Sequence, residues 1–370
     1  MSRPAGFPFR AEHIGSLLRS KDLTAAFKDV AAGKIDQAKF KAVQDQAIRD
    51  VVAMQEQLGL KVVTDGEFRR ASYWGHWITA IDGFAVAEAQ YKFHDEKGNE
   101  MVFISPTVVG KLRKKSPIST EEFKFLKSVA KAEPKITMPG PSTFHFWRGK
   151  AGLAQSPYKT AEEFFADLSA IYRQEIADLA ALGCRYIQFD EVALIMLANP
   201  DIRAKCKGFG EDPDHLTDLY IQAINDSARD RPKDMVAGLH ICRGNFKGKW
   251  LTEGGYDAVA EKIFTRSNVD TFLLEYDSPR AGDFKPLRLV PKDKNVVLGL
   301  VSSKVPMLEQ QAELEARIKE ASQYIPLDRL AVSPQCGFAS TVAGNPVTLD
   351  DEKKKLGLCV SVADHVWHSH

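Results

Sequence analysis

Apolar positions along this chain keep two different rhythms. Eight short runs read as strands: RAEHIGS (10–16), KVVTDGEF (61–68), KITMPGP (135–141), RYIQFDEVAL (185–194), MVAGLHICRG (235–244), TFLLEYDS (271–278), NVVLGLVSS (295–303) and LAVSPQCGF (330–338). Between most of them apolar residues recur every three or four positions among charges, the period of a helix with one buried face. Residues 37–58, 215–228 and 307–324 are of this kind, as is the long stretch that begins at Thr160. Thr160 with Glu163 fits a capping box at its start, and Gly183 suits its stop.

Strand, helix, strand, repeated eight times, predicts an α/β fold of the (β/α)8 TIM-barrel type. Unusual residues fall at the C-terminal ends of the runs: His13 to Ser16, Asp65 to Glu67, Pro139 to Pro141, Asp190 and Glu191, His240 to Cys242, Glu275, Ser302 to Lys304, and Cys336. A barrel gathers such ends on one face, where its active sites are built. An open doubly wound sheet, the runner-up, would string them along an edge. Roughly residues 84–134 are too long for one strand–helix unit. KFHDEKGNEMVF reads as a hairpin about Lys-Gly-Asn, and SPISTEEFKFLKSVA as a helix. The expectation is one barrel domain over residues 1–370, with this insertion lying over its mouth.

Composition narrows the partners. Lys and Arg number 50 against 49 Asp and Glu, a net charge of +1. That balance gives no reason to expect nucleic acid or an anionic membrane. MSRPAGFPFR lacks the apolar centre of a signal peptide, and no run approaches the roughly 20 apolar residues of a membrane span. A cytoplasmic protein is expected, and a homo-oligomer is compatible with the chain. The five cysteines are widely spaced, which argues against a disulfide framework. Cys184 and Cys359 read as buried small hydrophobes. Cys206, among basic residues, is expected in a surface loop.

The remaining cysteines change the picture. His240 and Cys242 stand two apart at the end of one strand, so their side chains share a face. Glu275 and Cys336 end later strands. Two Cys, a His and a carboxylate are ligands that zinc takes readily. The alternatives are a buried histidine with two core thiols and a salt-bridged Glu275, or a closed structural clamp. Clamps usually use closely spaced Cys pairs in small domains, so ligands from separate strands fit a catalytic ion better. Two thiolates and one carboxylate around Zn2+ leave the site at a formal −1. Such a site suits thiol activation better than carbonyl polarisation. Glu275 is then the ligand most readily replaced by an incoming sulfur.

The motifs HIGSLLR, TDGEFRR, PGPSTFHFW, IQFDEVAL, GLHICRGN, LLEYD, LGLVSSK and SPQCGF together resemble the C-terminal catalytic barrel of cobalamin-independent methionine synthase. The short, single-barrel members are more similar still. The match runs from about Phe9 to the end of the chain. That family transfers a methyl group from 5-methyltetrahydrofolate to the sulfur of homocysteine. The resemblance implies that His240, Cys242, Glu275 and Cys336 are zinc ligands. It implies that Ile14, Gly15 and Ser16 hold the amino acid carboxylate, and that Glu67 and Asp190 hold its ammonium group. Trp147 falls where the family packs a tryptophan on the pterin. Tyr73, Trp74, His76 and Trp77 follow the second strand and are candidates for the same mouth.

One departure bears on the chemistry. Where the long enzymes have a proton-donating histidine near the end of the seventh strand, this chain has Lys304. Lys304 and Asp190 are therefore the candidate catalytic residues. Expected partners are a homocysteine-like thiol and a folate-like or corrinoid methyl donor. Other readings keep part of this set: a zinc thiol alkyltransferase acting on an epoxide or another electrophile, a demethylase draining a methylated substrate into a thiol or folate, or a zinc store without turnover.

Overall fold

The computed structural model describes residues 4, 6–91, 93–94, 100–101 and 103–368. Among the described residues eleven strands run in chain order: β1 Val62–Val63, β2 Ile81–Glu88, β3 Phe93–His94, β4 Glu100–Met101, β5 Ile104–Lys114, β6 Glu133–Pro139, β7 Tyr186–Glu191, β8 Val236–Ile241, β9 Thr271–Glu275, β10 Asn295–Val301 and β11 Leu330–Pro334. Seven of them form one curled parallel sheet in the order β1-β6-β7-β8-β9-β10-β11. The eighth stave is short. Ala11 pairs with Val332 of β11 in a single parallel bridge, and Leu17 and Thr64 tie the same segment to Gly66 and Gly15 near β1. The fold is thus an α/β, TIM-barrel-like domain, as expected.

Alternation along the strands explains the interior. On β7 the inward series is Tyr186, Gln188 and Asp190, on β8 it is Val236, Gly238 and His240, and on β9 it includes Leu273 and Glu275. Phe9, Val62, Tyr186 and Val236 pack together at one level, and Ile14, Leu273, Val297 and Ala331 at the next. At the first of these levels Lys135, in register with Tyr186, donates to Glu12 at 3.0 Å, and the Tyr186 hydroxyl donates to the same carboxylate. Moving toward the C-terminal ends, the inward faces become polar again. The main apolar core lies on the other side of the sheet, between strands and helices.

The helices follow the sequence rhythm closely. Gln37–Gln57, Ala161–Ala181, Pro213–Ala228 and Gln311–Ala321 occupy the expected places. Thr160 caps the second of these by accepting from Glu163 N–H, while the Glu163 carboxylate accepts from Lys159 N–H one residue earlier than a capping box requires. No helix among the described residues is long and apolar enough to cross a membrane.

The insertion departs from expectation in size. Its main feature is a long antiparallel ribbon, β2 with β5, which starts at Ile81. The hairpin read at KFHDEKGNEMVF is present as the short pair β3–β4, and its Lys-Gly-Asn turn lies outside the described residues. Thr120–Val129 is the expected helix. Cys206 also corrects its reading: it is buried in the helix Pro200–Gly208, 3.0 Å from the Tyr91 hydroxyl. Phe209 lies edge-on to the same Tyr91 ring at 6.0 Å.

Candidate functional site

His240, Cys242 and Cys336 meet at the C-terminal face of the barrel. Their ligating atoms all lie within 4.8 Å of one another, and all three residues are buried. The two sulfurs are 3.3 Å apart. His240 is fixed by a 3.1 Å contact between Nδ1 and the Leu273 carbonyl, while its Nε2 is buried without a partner. A ligating histidine is usually held in this way, one nitrogen anchored to a carbonyl and the other presented to the ion. Two sulfurs and one imidazole nitrogen are a donor set that suits a thiophilic dication. These residues form a three-residue cluster with the geometry to hold a metal ion.

The electrostatics agree with that fit. The Cys336 sulfur, followed by burial, holds the Cys242 thiol well above the ordinary thiol range. Burial pulls the His240 imidazole down, but Cys242 and Asp190 outweigh it and its pKa is raised. Protons crowd where a dication would relieve both groups.

Glu275 stands outside the group of three. One carboxylate oxygen accepts from Lys304 Nζ and from Arg280, each at 3.1 Å. The other accepts the Arg243 backbone N–H at 3.0 Å. Burial raises its pKa, yet the charges of Lys304 and Arg243 outweigh burial and hold it below the usual value. Lys304 is itself almost fully buried; burial lowers its pKa, and Glu275 with the two thiols outweighs burial.

A small pocket of about 60 Å³ adjoins the cluster, and Ile14, Ser16, Glu67 and Asp190 line it together with His240, Cys242 and Cys336. Gly15 forms the backbone between Ile14 and Ser16. It has φ +133, and a Cβ there would meet Thr137 at 2.4 Å, so only glycine lets this loop pack so close. Glu67 has φ +62, an uncommon conformation for a non-glycine residue and one that concentrates at functional sites. Its carboxylate accepts from Thr137 at 2.7 Å. Of the two arginines that follow it, Arg69 pairs with Asp45, while Arg70 is ion-paired both with Glu122 at 2.7 Å and with Glu67 at 3.6 Å. Asp190 is pushed up to about 7, first by burial and then by the charge of Glu67.

Tyr73 also lines the pocket, which the sequence placed only among several candidates. Its hydroxyl is buried with no hydrogen-bond partner, close to the charges of Cys242, Glu191 and Asp190. Asn245 lines it as well and was missed; its amide donates to Gly337 O at 2.8 Å. A signal was present, since Asn245 follows His240 and Cys242 in the loop after β8. Trp77, from the same aromatic run as Tyr73, is instead a core residue stacked on Tyr172 at 4.0 Å. Trp147 is 5% exposed, with the Phe103 ring edge-on at 4.9 Å, and does not line this pocket.

With this geometry in hand, similarity to known proteins is informative. Residues 9–364 match the sequence family described as cobalamin-independent synthase, catalytic domain. The uncharacterized protein YxjH of Bacillus subtilis (strain 168) is 39% identical over 366 residues, which covers 97% of this chain and 95% of that one. A methionine synthase of Pyrococcus horikoshii is 28% identical over 329 residues, 88% and 85% of the two chains. A crystal structure of a candidate vitamin-B12-independent methionine synthase from Listeria monocytogenes aligns with a TM-score of 0.76, at 30% identity and over 99% of each chain.

Proposed function

Because the chain belongs to the cobalamin-independent methionine synthase family, we propose that it is a zinc-dependent thiol S-methyltransferase that converts homocysteine to methionine, with 5-methyltetrahydrofolate as the methyl donor. We take residues 1–370 as one catalytic barrel, with the insertion as a cover over its mouth. The observation that carries this reading is the meeting of His240, Cys242 and Cys336 beside a pocket that holds Glu67 and Asp190. An amino acid thiol needs all of it: donors to its sulfur's metal, and acceptors for its ammonium group.

In this reading His240, Cys242 and Cys336 hold the ion, with Glu275 as the fourth and replaceable ligand. When bound, zinc supplies the Lewis acidity that lowers the pKa of the substrate thiol. Glu67 and Asp190 accept hydrogen bonds from the ammonium group, and the Ile14–Gly15–Ser16 loop receives the carboxylate. The substrate's positive charge then offsets the burial and the Glu67 charge that together push Asp190 up to about 7. The thiolate sulfur forms a bond to the methyl carbon as the carbon–nitrogen bond of the donor breaks. The electron pair stays on that nitrogen, which takes up a proton.

Asp190 holds a proton near neutrality in the free chain and gives it up as the ammonium group engages it, which makes it the better candidate to relay a proton. Lys304 is strongly held in its charged form by Glu275, so its role is to compensate charge beside the thiols. Pre-organising both reactants supplies up to roughly 7–11 kcal/mol of the barrier.

The test is to purify the protein, quantify its metal, and supply homocysteine with 5-methyltetrahydrofolate or with methylcobalamin. About one zinc per chain and folate-dependent methionine are expected. Zinc without methionine from either donor would overturn the assignment. It would favour the second reading, a thiol alkyltransferase with another electrophile, which the lysine at position 304 already supports.

A further inference from the structure

Lys304 belongs to two places at once. Its ammonium lies 3.1 Å from one oxygen of Glu275 beside the metal cluster, and the same residue forms part of the wall of a far larger cleft. That cleft, about 1040 Å³, runs between the loops that follow β8, β9 and β10. It shares no lining residue with the cavity at His240, Cys242 and Cys336, so a molecule bound there is separate from the reactants. Lys304 is the residue through which it would be felt at the metal cluster.

The lining suits negative charge. Lys247 and Lys249 enter it from the loop after β8, and among the described residues neither makes an ion pair. The carboxylates of the same lining are engaged. Glu309 faces Lys355 at 3.0 Å, Glu253 accepts from Trp250 Nε1 at 2.9 Å, and Asp277 pairs with Arg280 at 3.2 Å. Glu313 stands in the first turn of the helix Gln311–Ala321, where the helix dipole offsets its charge. Two donors in the lining are idle: Ser278 Oγ and Arg280 Nε are buried without partners, a state that buried polar groups normally avoid. The Arg280 guanidinium is also held at the wall, 4.3 Å from the centre of the Trp250 ring.

We propose that this cleft binds a small molecule carrying phosphate groups, and that the bound anion raises metal affinity by drawing Lys304 off Glu275. The inference rests on the zinc reading above. Phosphate oxygens would accept from Ser278 Oγ and Arg280 Nε, and the negative charge would meet Lys247, Lys249 and Lys304. In the free chain Lys304 competes with an ion for one Glu275 oxygen, while the Arg243 N–H fixes the other at 3.0 Å. Arg280 Nη2 is the weaker rival, because it is divided between Glu275 at 3.1 Å and Asp277 at 3.2 Å. Once Lys304 turns to the anion, that Glu275 oxygen is freer to ligate and the repulsion between ammonium and dication falls. The coupling is reciprocal, so a bound ion also favours the anion.

The experiment measures how zinc partitions at equilibrium between the full, zinc-loaded chain and a chromophoric chelator. It is run in potassium sulfate and in potassium chloride at equal ionic strength, with sulfate as the probe for a phosphate group. Sulfate is expected to tighten zinc binding by at least about fivefold, the lower end of the usual coupling between sites. Lys304→Met, with no ammonium to draw away, should respond by less than about twofold. Lys247→Gln combined with Lys249→Gln should match wild type in chloride and lose the sulfate response, and Ser278→Ala should weaken that response. An unchanged zinc affinity in sulfate overturns the proposal, and so does a full response in Lys304→Met or in the double lysine variant. Zinc held without any sulfate response leaves the methyltransferase reading standing. Failure of the wild-type chain to hold zinc in either salt overturns both.

Discussion

The ammonium of Lys304 lies 3.1 Å from the carboxylate of Glu275, and both residues are buried beside the two clustered thiols. Lys304 thus competes with any metal for Glu275, and its charge repels a dication. Lys304→Met removes both effects while Arg280 and the Arg243 N–H still satisfy the carboxylate. Zinc should bind roughly tenfold more tightly in this variant, at the lower edge of what outer-shell changes produce. Competition against a chromophoric chelator measures it. Weaker zinc binding would mean that Lys304 supports the centre instead.

Cys242→Ser and Cys336→Ser each remove a sulfur from the cluster. Zinc affinity should fall by more than the roughly 10–100-fold typical of outer-shell losses, and thiol methylation should fall with it. Metal analysis after gel filtration checks the first, and methionine formation the second. Turnover retained in a zinc-free variant would contradict the proposed mechanism.

Glu67→Gln and Asp190→Asn weaken the acceptors for the ammonium group. A charge-assisted hydrogen bond contributes roughly 1.5–3 kcal/mol, so kcat/KM for homocysteine should drop by about 10- to 150-fold. A thiol of the same length without an amino group should show little change between wild type and variants. Equal losses for both thiols would indicate a structural role, for example through the Thr137 hydroxyl that donates to Glu67.

Glu352 provides a pH prediction away from the site. Its carboxylate accepts the Leu18 N–H at 2.8 Å, and burial pushes its pKa up to about 8 from the ordinary 4.5. Between those values the folded chain holds a proton that the unfolded chain has released. Stability therefore falls as pH rises from about 4.5 to 8, by up to about 1.4 kcal/mol per pH unit from this group. Glu352→Gln keeps the acceptor oxygen without the titration. It should flatten the dependence and raise the melting temperature at pH 8 relative to wild type. Parallel melting curves at pH 5 and pH 8 decide the point.

The barrel and most of its site were legible because strand alternation carries the information. His240 follows Val236 and Gly238 on the inward face, and Asp190 follows Tyr186 and Gln188, so their convergence comes with the fold. The β2–β5 ribbon was harder to see. Burial does not alternate cleanly on either strand, with neighbouring Ser105 and Pro106 both buried on β5, and a register shift between Asp82 and Phe84 interrupts the pairing. A salt-bridged Glu275 was legible as an alternative to a ligand, but its partners were not. Its partners Arg280 and Lys304 come from two different loops, and charges on separate loops carry no periodic signal of their meeting. Burial of Cys206 was hidden for a related reason: basic neighbours suggested a surface, while Tyr91, 115 positions away, supplies the contact.

Cys242 and Cys336 lie 94 residues apart in sequence, on staves with two others between them. During synthesis the earlier sulfur emerges long before its mate. The pair exists only after β11 has docked against β10 and against the stave at Ala11. An ion that needs both sulfurs would be held only after this late docking, and its capture would certify that the barrel has closed. An ion taken up at that point favours the closed state by mass action, pinning the final stave to the middle of the sheet.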